Sequence, residues 1–239
     1  MKNILTIFRK ELKSYFNSPV AYIVLVVFLV ITGWFFTSSL FLSGVVTMRN
    51  VFDIIPFIFL FFIPAISMRT LSEEKKSGTI ELLLTKPVSD LDIVLGKFLA
   101  ALALTCIALA FTLIYVISLT FIGKIDTGAI IGSYIGLIFM SGIYISIGIF
   151  ASSLTENQVV AFIISFLIVF ALFLLNKVLM FLPAGIASIL EYISIDYHFS
   201  NIARGVIDSR DLIYYLSGIT IFVLLTKTSL EKKKMVLNF

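Results

Sequence analysis

Charge is scarce in this chain. Asp, Glu, Lys and Arg make up 13% of the 239 residues, against about 25% in a soluble domain, and 60% of the residues are hydrophobic. A single cysteine, Cys106, sits inside an apolar run, which rules out a disulfide framework and a cysteine metal cluster. The single histidine, His198, has Asp196 and Glu191 near it in sequence; alone in a polar stretch it reads as a structural or solvated group rather than a metal ligand. One His and one Cys in different regions cannot supply a nucleophile and its base. A phosphate-cradling Gly-x-x-x-x-Gly-Lys-Ser/Thr loop is also missing, because Gly96-Lys97 is followed by Phe98 and has no upstream glycine at the required spacing. The sequence therefore predicts no enzyme and no ATP site of its own.

What fills the chain instead is apolar runs long enough to cross a bilayer as helices, which need about 20 residues each. Six are expected, at residues 20–42, 51–68, 93–122, 129–154, 158–182 and 212–228, the last being the shortest. Together they make one all-α integral membrane domain over residues 1–239. A secretory signal has an apolar core of about 7–15 residues, so the first run is expected to stay attached as a span. The net charge of +4 could suggest nucleic acid, but the Lys and Arg lie at span ends, where they set orientation. Six spans place Lys2, Arg9, Lys10, Lys13, Arg69, Lys75, Lys76, Lys86, Lys97, Lys227 and the 232–234 lysines on one side. Arg49, Lys124, Lys177, Arg204 and Arg210 fall on the other. The bias predicts an inner, cytoplasmic membrane location with both termini cytoplasmic. A seventh crossing at 186–195 would put the terminal lysines outside, so 183–211 is expected to form short helices on the extracytoplasmic face.

Residues 1–18 predict an amphipathic helix lying in the membrane surface, with Ile4, Leu5, Phe8, Leu12 and Tyr15 on one face and Arg9, Lys10 and Lys13 on the other. Only Glu11 falls among the apolar positions and so needs a basic partner, for which Arg69 is the candidate. Pro19 ends this helix. Pro56 and Pro64 are potential kinks in the second run. Ser89 with Asp92 fits a helix cap, and Thr155 with Gln158 has capping-box spacing for the fifth run. In the fourth run Gly132/Gly136, Gly142/Ser146 and Gly148/Ser152 stand four apart, which lets helices approach closely, either within the subunit or at a dimer seam.

The long polar interruption is 69–97, RTLSEEKKSGTIELLLTKPVSDLDIVLGK. Its ten charges would cost about 25 kcal/mol at a bilayer centre, so it is expected in water or against a soluble partner. Gly78 breaks the polar run, Thr79 can cap a short helix, and Leu82 to Leu84 give that helix an apolar patch suited to a partner.

The run R-x-L-S-E-E-K-K-S-G-T-I-E-L-L-L-T-K-P-V-S, with F-R-K-E-L-K-S-Y-F-N-S-P-V-A-Y at the amino end, resembles ABC-2 type transporter permeases, most of all the branch containing the gliding-motility-associated subunit. The resemblance implies the ABC-2 (type V exporter-like) permease fold, with 69–92 as a cytoplasmic coupling segment. By matched position it assigns ATPase coupling to Arg69, Glu73, Glu74, Lys75, Gly78, Thr79, Glu81, Leu82, Leu83 and Pro87, with Arg9, Lys10 and Glu11 in the interfacial helix. It implies no cofactor on this chain, ATP and Mg on a partner ABC ATPase, and a second or paralogous permease copy. It also admits an auxiliary extracytoplasmic subunit. Two other classes stay open: a gradient-driven carrier, which the uncharged interiors of the third to fifth runs disfavour, and a non-transporting subunit of a motility or assembly complex. Span composition favours a lipid-like cargo over a small ion.

Overall fold

The computed structural model describes residues 2–42, 44–84, 88–178, 181 and 183–237. Eleven α-helices follow one another among them: α1 (Lys2–Asn17), α2 (Pro19–Thr37), α3 (Arg49–Ser67), α4 (Arg69–Lys76), α5 (Thr79–Leu84), α6 (Asp90–Ile122), α7 (Thr127–Leu154), α8 (Gln158–Val178), α9 (Ala184–Ile193), α10 (Ile195–Ala203) and α11 (Ser209–Leu237). A π-helical turn, Ser38–Leu42, extends α2. Six helical stretches among the described residues are long and apolar enough to cross a membrane: Pro19–Leu42, Arg49–Lys76, Asp90–Ile122, Thr127–Leu154, Gln158–Val178 and Ser209–Lys234.

The boundaries follow local chemistry. Ser18 caps α2, whose first turn holds Pro19, where a missing amide costs nothing. Ser89 Oγ accepts from Asp92 N at 3.1 Å and starts α6, with Asp90 and Asp92 in the positive first turn. At the start of α8 the cap is Asn157, which accepts from Val159 N at 2.9 Å, rather than Thr155, which ends α7 and takes the Asn157 amide. Pro56 and Pro64 are buried inside α3, and the helix continues through both. The last apolar helix, α11, has 29 residues, because the terminal lysines extend it past the apolar stretch.

The central helix is α7, which touches α3, α6, α8, α10 and α11. Its glycines permit this. A Cβ on Gly132 would lie 2.2 Å from Ile202 O of α10, on Gly136 2.9 Å from the Phe199 ring, on Gly142 2.8 Å from Ile219 of α11, and on Gly148 1.9 Å from Ser67 Oγ of α3. At these positions the small residues are spent on packing inside one chain, not on a dimer seam. With no hydrophobic drive between helices in lipid, this close approach supplies the contact area that holds the bundle. Several buried span hydroxyls return to their own helix, as Thr32 does to Phe28 O at 2.8 Å and Thr105 to Ala101 O at 3.1 Å. The outer faces of α2 and α8 are exposed and apolar, including Val30, Trp34, Val159 and Leu167.

Candidate coupling site

Where α3 gives way to α4, Met68 is shared by both helices, and neither α4 nor its preceding turn offers a side-chain cap. The first amides of a helix need partners. Ser152 of α7 provides them from outside: its Oγ accepts from Leu71 N at 3.0 Å and Ser72 N at 2.9 Å, and donates to Met68 O at 2.8 Å. The Lys75 ammonium donates to Ser153 O, which also accepts from Ser229 Oγ of α11 at 3.2 Å. Thus α4 is tied to the end of α7. Ser152→Ala should leave two buried amides without acceptors and cost about 1–3 kcal/mol, read as a lowered thermal midpoint. An unchanged midpoint would mean that water replaces the hydroxyl.

Lys97 of α6 ties the other side. Its side chain is 1% exposed, and its ammonium lies 2.9 Å from Glu74 Oε1, 3.1 Å from Glu11 Oε1 and 2.7 Å from Thr70 O. One cation therefore holds α1, α4 and α6 together. The charge count predicts 69–97 in water or against a soluble partner, yet this lysine is inside the chain's own fold, where two carboxylates and a carbonyl compensate its desolvation. Lys10, which is exposed, adds a contact 3.8 Å from Glu74. Glu11 does need a basic partner, but the partner is Lys97 and not Arg69. Arg69 instead pairs with Glu73 at 3.0 Å and donates to Ser18 Oγ at 3.2 Å. Tyr15 lies beside both and donates to Ile66 O at 3.2 Å; burial, and then the Glu11 charge, push its phenol above the ordinary range.

The helix α1 is more than a surface float: Ile7 packs where Gly96 leaves room on α6, and a Cβ there would sit 2.6 Å from the Ile7 side chain. Its Leu5 and Arg9 face outward.

Beyond this base the chain turns. Gly78 has φ of 71°, a conformation open to glycine, and α5 leaves at Thr79. Thr79 Oγ1 lies 2.9 Å from Ser77 Oγ, and Ser77 Oγ donates to Glu73 O at 2.9 Å, so the two hydroxyls close the end of α4. Glu73, Lys76, Ser77, Gly78, Thr79 and Glu81 are exposed, whereas Thr70, Leu71, Ser72 and Ile80 are buried. The backbone of Leu82 and Leu83 lies in α5, and Pro87 falls outside the described residues. The structure thus brings Arg69, Glu73, Glu74, Lys75, Lys10 and Glu11 together and leaves Gly78, Thr79 and Glu81 exposed at the turn into α5. Lys97, Ser152 and Ile80 belong to the site and were missed. Ser152 was visible only as a small residue, and Lys97 only as a span-end charge.

The model of a family described as ABC-2 family transporter protein matches residues 5–230, nearly the whole chain. The chain belongs to the ABC-2 transporter family. No curated protein matches it. This ABC-2 protein is a multi-pass membrane permease of the ABC transporter class, in a family that works with a partnering ABC ATPase subunit and is typically non-catalytic itself.

Proposed function

We propose that this ABC-2 permease is driven by a separate ATPase that docks on the exposed turn of the α4–α5 segment, from Glu73 to Glu81, and that it acts as an exporter. The observation that carries this reading is the contrast within one short segment. Its tip is polar, exposed and turned by a glycine, while its base is fixed to α1, α6 and α7 by Lys97 and Ser152. A tip able to receive a partner, on a base that cannot yield independently, passes displacement into the bundle as a rigid-body motion. ATP and Mg would be held by the partner. The lysine bias supports a cytoplasmic position for this segment and both termini, with the permease in an inner membrane. Permease pairing as a homodimer or heterodimer, an auxiliary extracytoplasmic subunit, an amphiphilic cargo and kinship with the gliding-motility branch rest on the motif resemblance and belong to the same reading.

Co-purification with a P-loop ATPase, followed by reconstitution, tests it. Glu81→Gln and Gly78→Ala are expected to retain the folded bundle yet to lower substrate-stimulated ATP hydrolysis about tenfold, equivalent to about 1.4 kcal/mol of lost coupling. Full stimulation in both variants would remove the docking assignment. Ion-dependent uptake by the chain alone would instead favour a gradient-driven carrier.

A further inference from the structure

At the end of the bundle opposite α4–α5, a cleft of 660 Å³ opens between the α9–α10 elbow and the start of α11. That size falls in the range of small-ligand sites, about 300–1,000 Å³. Its walls are fixed. Tyr214 and Tyr215 of α11 donate to Ile193 O at 2.6 Å and Ile195 O at 3.0 Å across the elbow, and Asn176 and Lys177 of α8 hold Asp196 at 2.7 and 3.3 Å. On the far side α10 rests on Gly132 and Gly136 of α7.

His198 is already committed. Nδ1 lies 2.6 Å from Asp211 Oδ1, Nε2 lies 3.1 Å from Tyr192 O, and the ring stacks on Tyr214 with centroids 3.9 Å apart. It is buried and held by protein groups, so it is not the solvated histidine of one sequence reading, and no metal-binding cluster occurs among the described residues.

Three other groups keep unused bonding capacity. Asp211 lines the cleft with a side chain only 4% exposed, and its Oδ2 has no hydrogen-bond partner among the described residues. A buried carboxylate oxygen without a donor is costly, and such atoms mark places where something else binds. Arg204 and Arg210 also line the cleft; both are exposed, and neither guanidinium makes an ion pair among the described residues. The carboxylate of Asp208 is partly taken, since its Oδ1 accepts from Arg210 N at 2.9 Å. Beside these groups, Tyr192, Val206 and Ile213 are 61%, 69% and 65% exposed at the entrance to the last span. Aromatic and aliphatic groups at that depth suit the bilayer interface.

We propose that this cleft is a binding site for a phosphate ester carrying a primary ammonium, the chemistry of an ethanolamine phospholipid headgroup. The two guanidiniums match phosphate oxygens, to which arginine donates in bidentate fashion. Asp211 Oδ2 supplies the acceptor that the ammonium requires, and Val206, Ile213 and Tyr192 give the acyl chains an apolar exit into the bilayer. A choline headgroup has no N–H to donate and a glycerol headgroup brings no positive charge, so both should bind less well. The site is independent of the ATPase-docking reading and can be tested on the full chain alone.

The full chain is reconstituted in nanodiscs with equal parts phosphatidylethanolamine, phosphatidylcholine and phosphatidylglycerol, then extracted in mild detergent, and retained lipid is quantified by mass spectrometry. Phosphatidylethanolamine is expected to be enriched about tenfold, the scale of one charge-assisted hydrogen bond. Arg204→Gln with Arg210→Gln should abolish the enrichment. This double variant leaves the His198–Asp211 pair intact, which Asp211→Asn would not, so loss of the fold is kept apart from loss of the site. A parallel arm adds soluble O-phosphoethanolamine to the detergent-extracted protein. A raised thermal midpoint with no lipid enrichment assigns the site to a free phosphoester, whereas enrichment assigns it to the headgroup. Equal retention of the three lipids without stabilisation by O-phosphoethanolamine overturns the proposal, as does enrichment that survives in the double variant.

Discussion

Lys97→Met is expected to be the most damaging single change at the α1–α4–α6 junction, costing about 3–5 kcal/mol, because it leaves two carboxylates facing each other with only the solvent-exposed Lys10, 3.9 Å from Glu11 and 3.8 Å from Glu74, in place of their buried cation. Both acids are mostly buried, with side chains 16% exposed at Glu74 and 15% at Glu11, and Glu74 Oε2 already lacks a partner. Methionine fills much of the lysine volume, so a cavity does not explain the loss. The triple variant Lys97→Met, Glu74→Gln, Glu11→Gln separates charge from packing. It should recover most of the thermal midpoint, since replacing every member of a buried ionic cluster is far milder than removing one. If the triple variant is as unstable as the single one, the lysine acts by shape. The stabilised triple variant has a second use. Under the docking reading it should fold yet couple poorly to an added ATPase, because α1 would no longer move with α4.

How much of this was legible depends on whether the information is local. The six apolar helices, the Ser89 cap and the turn at Gly78 are local features, each set by a few neighbouring residues, and they stand near where the sequence puts them. Glu11 shows the limit. Helical periodicity reveals that a carboxylate lies on an apolar face and needs a cation, but several basic residues could reach it, and the buried one that hydrogen-bonds to it is 86 positions away. The Thr155/Asn157 exchange has a different cause: two capping residues two positions apart both fit the start of α8, and the backbone selects the nearer one. The His198–Asp211 pair joins two helices through a bend and carries no periodic signal. Small residues in α7 announced a close approach but not which neighbour approaches, and that depends on the whole bundle.

The second large effect follows from those small residues. Gly132→Ala places a methyl 2.2 Å from the Ile202 carbonyl oxygen, a backbone atom that no rotamer change can move, so α10 must shift away from α7. Overpacking of this kind costs about 1–3 kcal/mol and sometimes more, and here it should sit at the upper end because the α10 turn at Gly205 is also pressed against Gly128. Gly148→Ala should be similarly severe at the α3 crossing, where Ser67 Oγ is 1.9 Å and Ser67 Cβ 2.6 Å from the new methyl. The two sites differ in what can rescue them. Ser67→Gly removes both obstructing atoms and should restore most of the thermal midpoint in the Gly148→Ala background, whereas no side-chain change on α10 can relieve a carbonyl. Gly185→Ala, where no atom of the described residues lies within 4 Å of the added methyl, is the control and should stay within about 0.5 kcal/mol of the parent. If Gly132→Ala unfolds no more easily than that control, the close α7–α10 contact is not what holds the elbow. The fixed wall of the phosphoester cleft would then have to come from the Tyr214 and Tyr215 hydrogen bonds and the hold of Asn176 and Lys177 on Asp196.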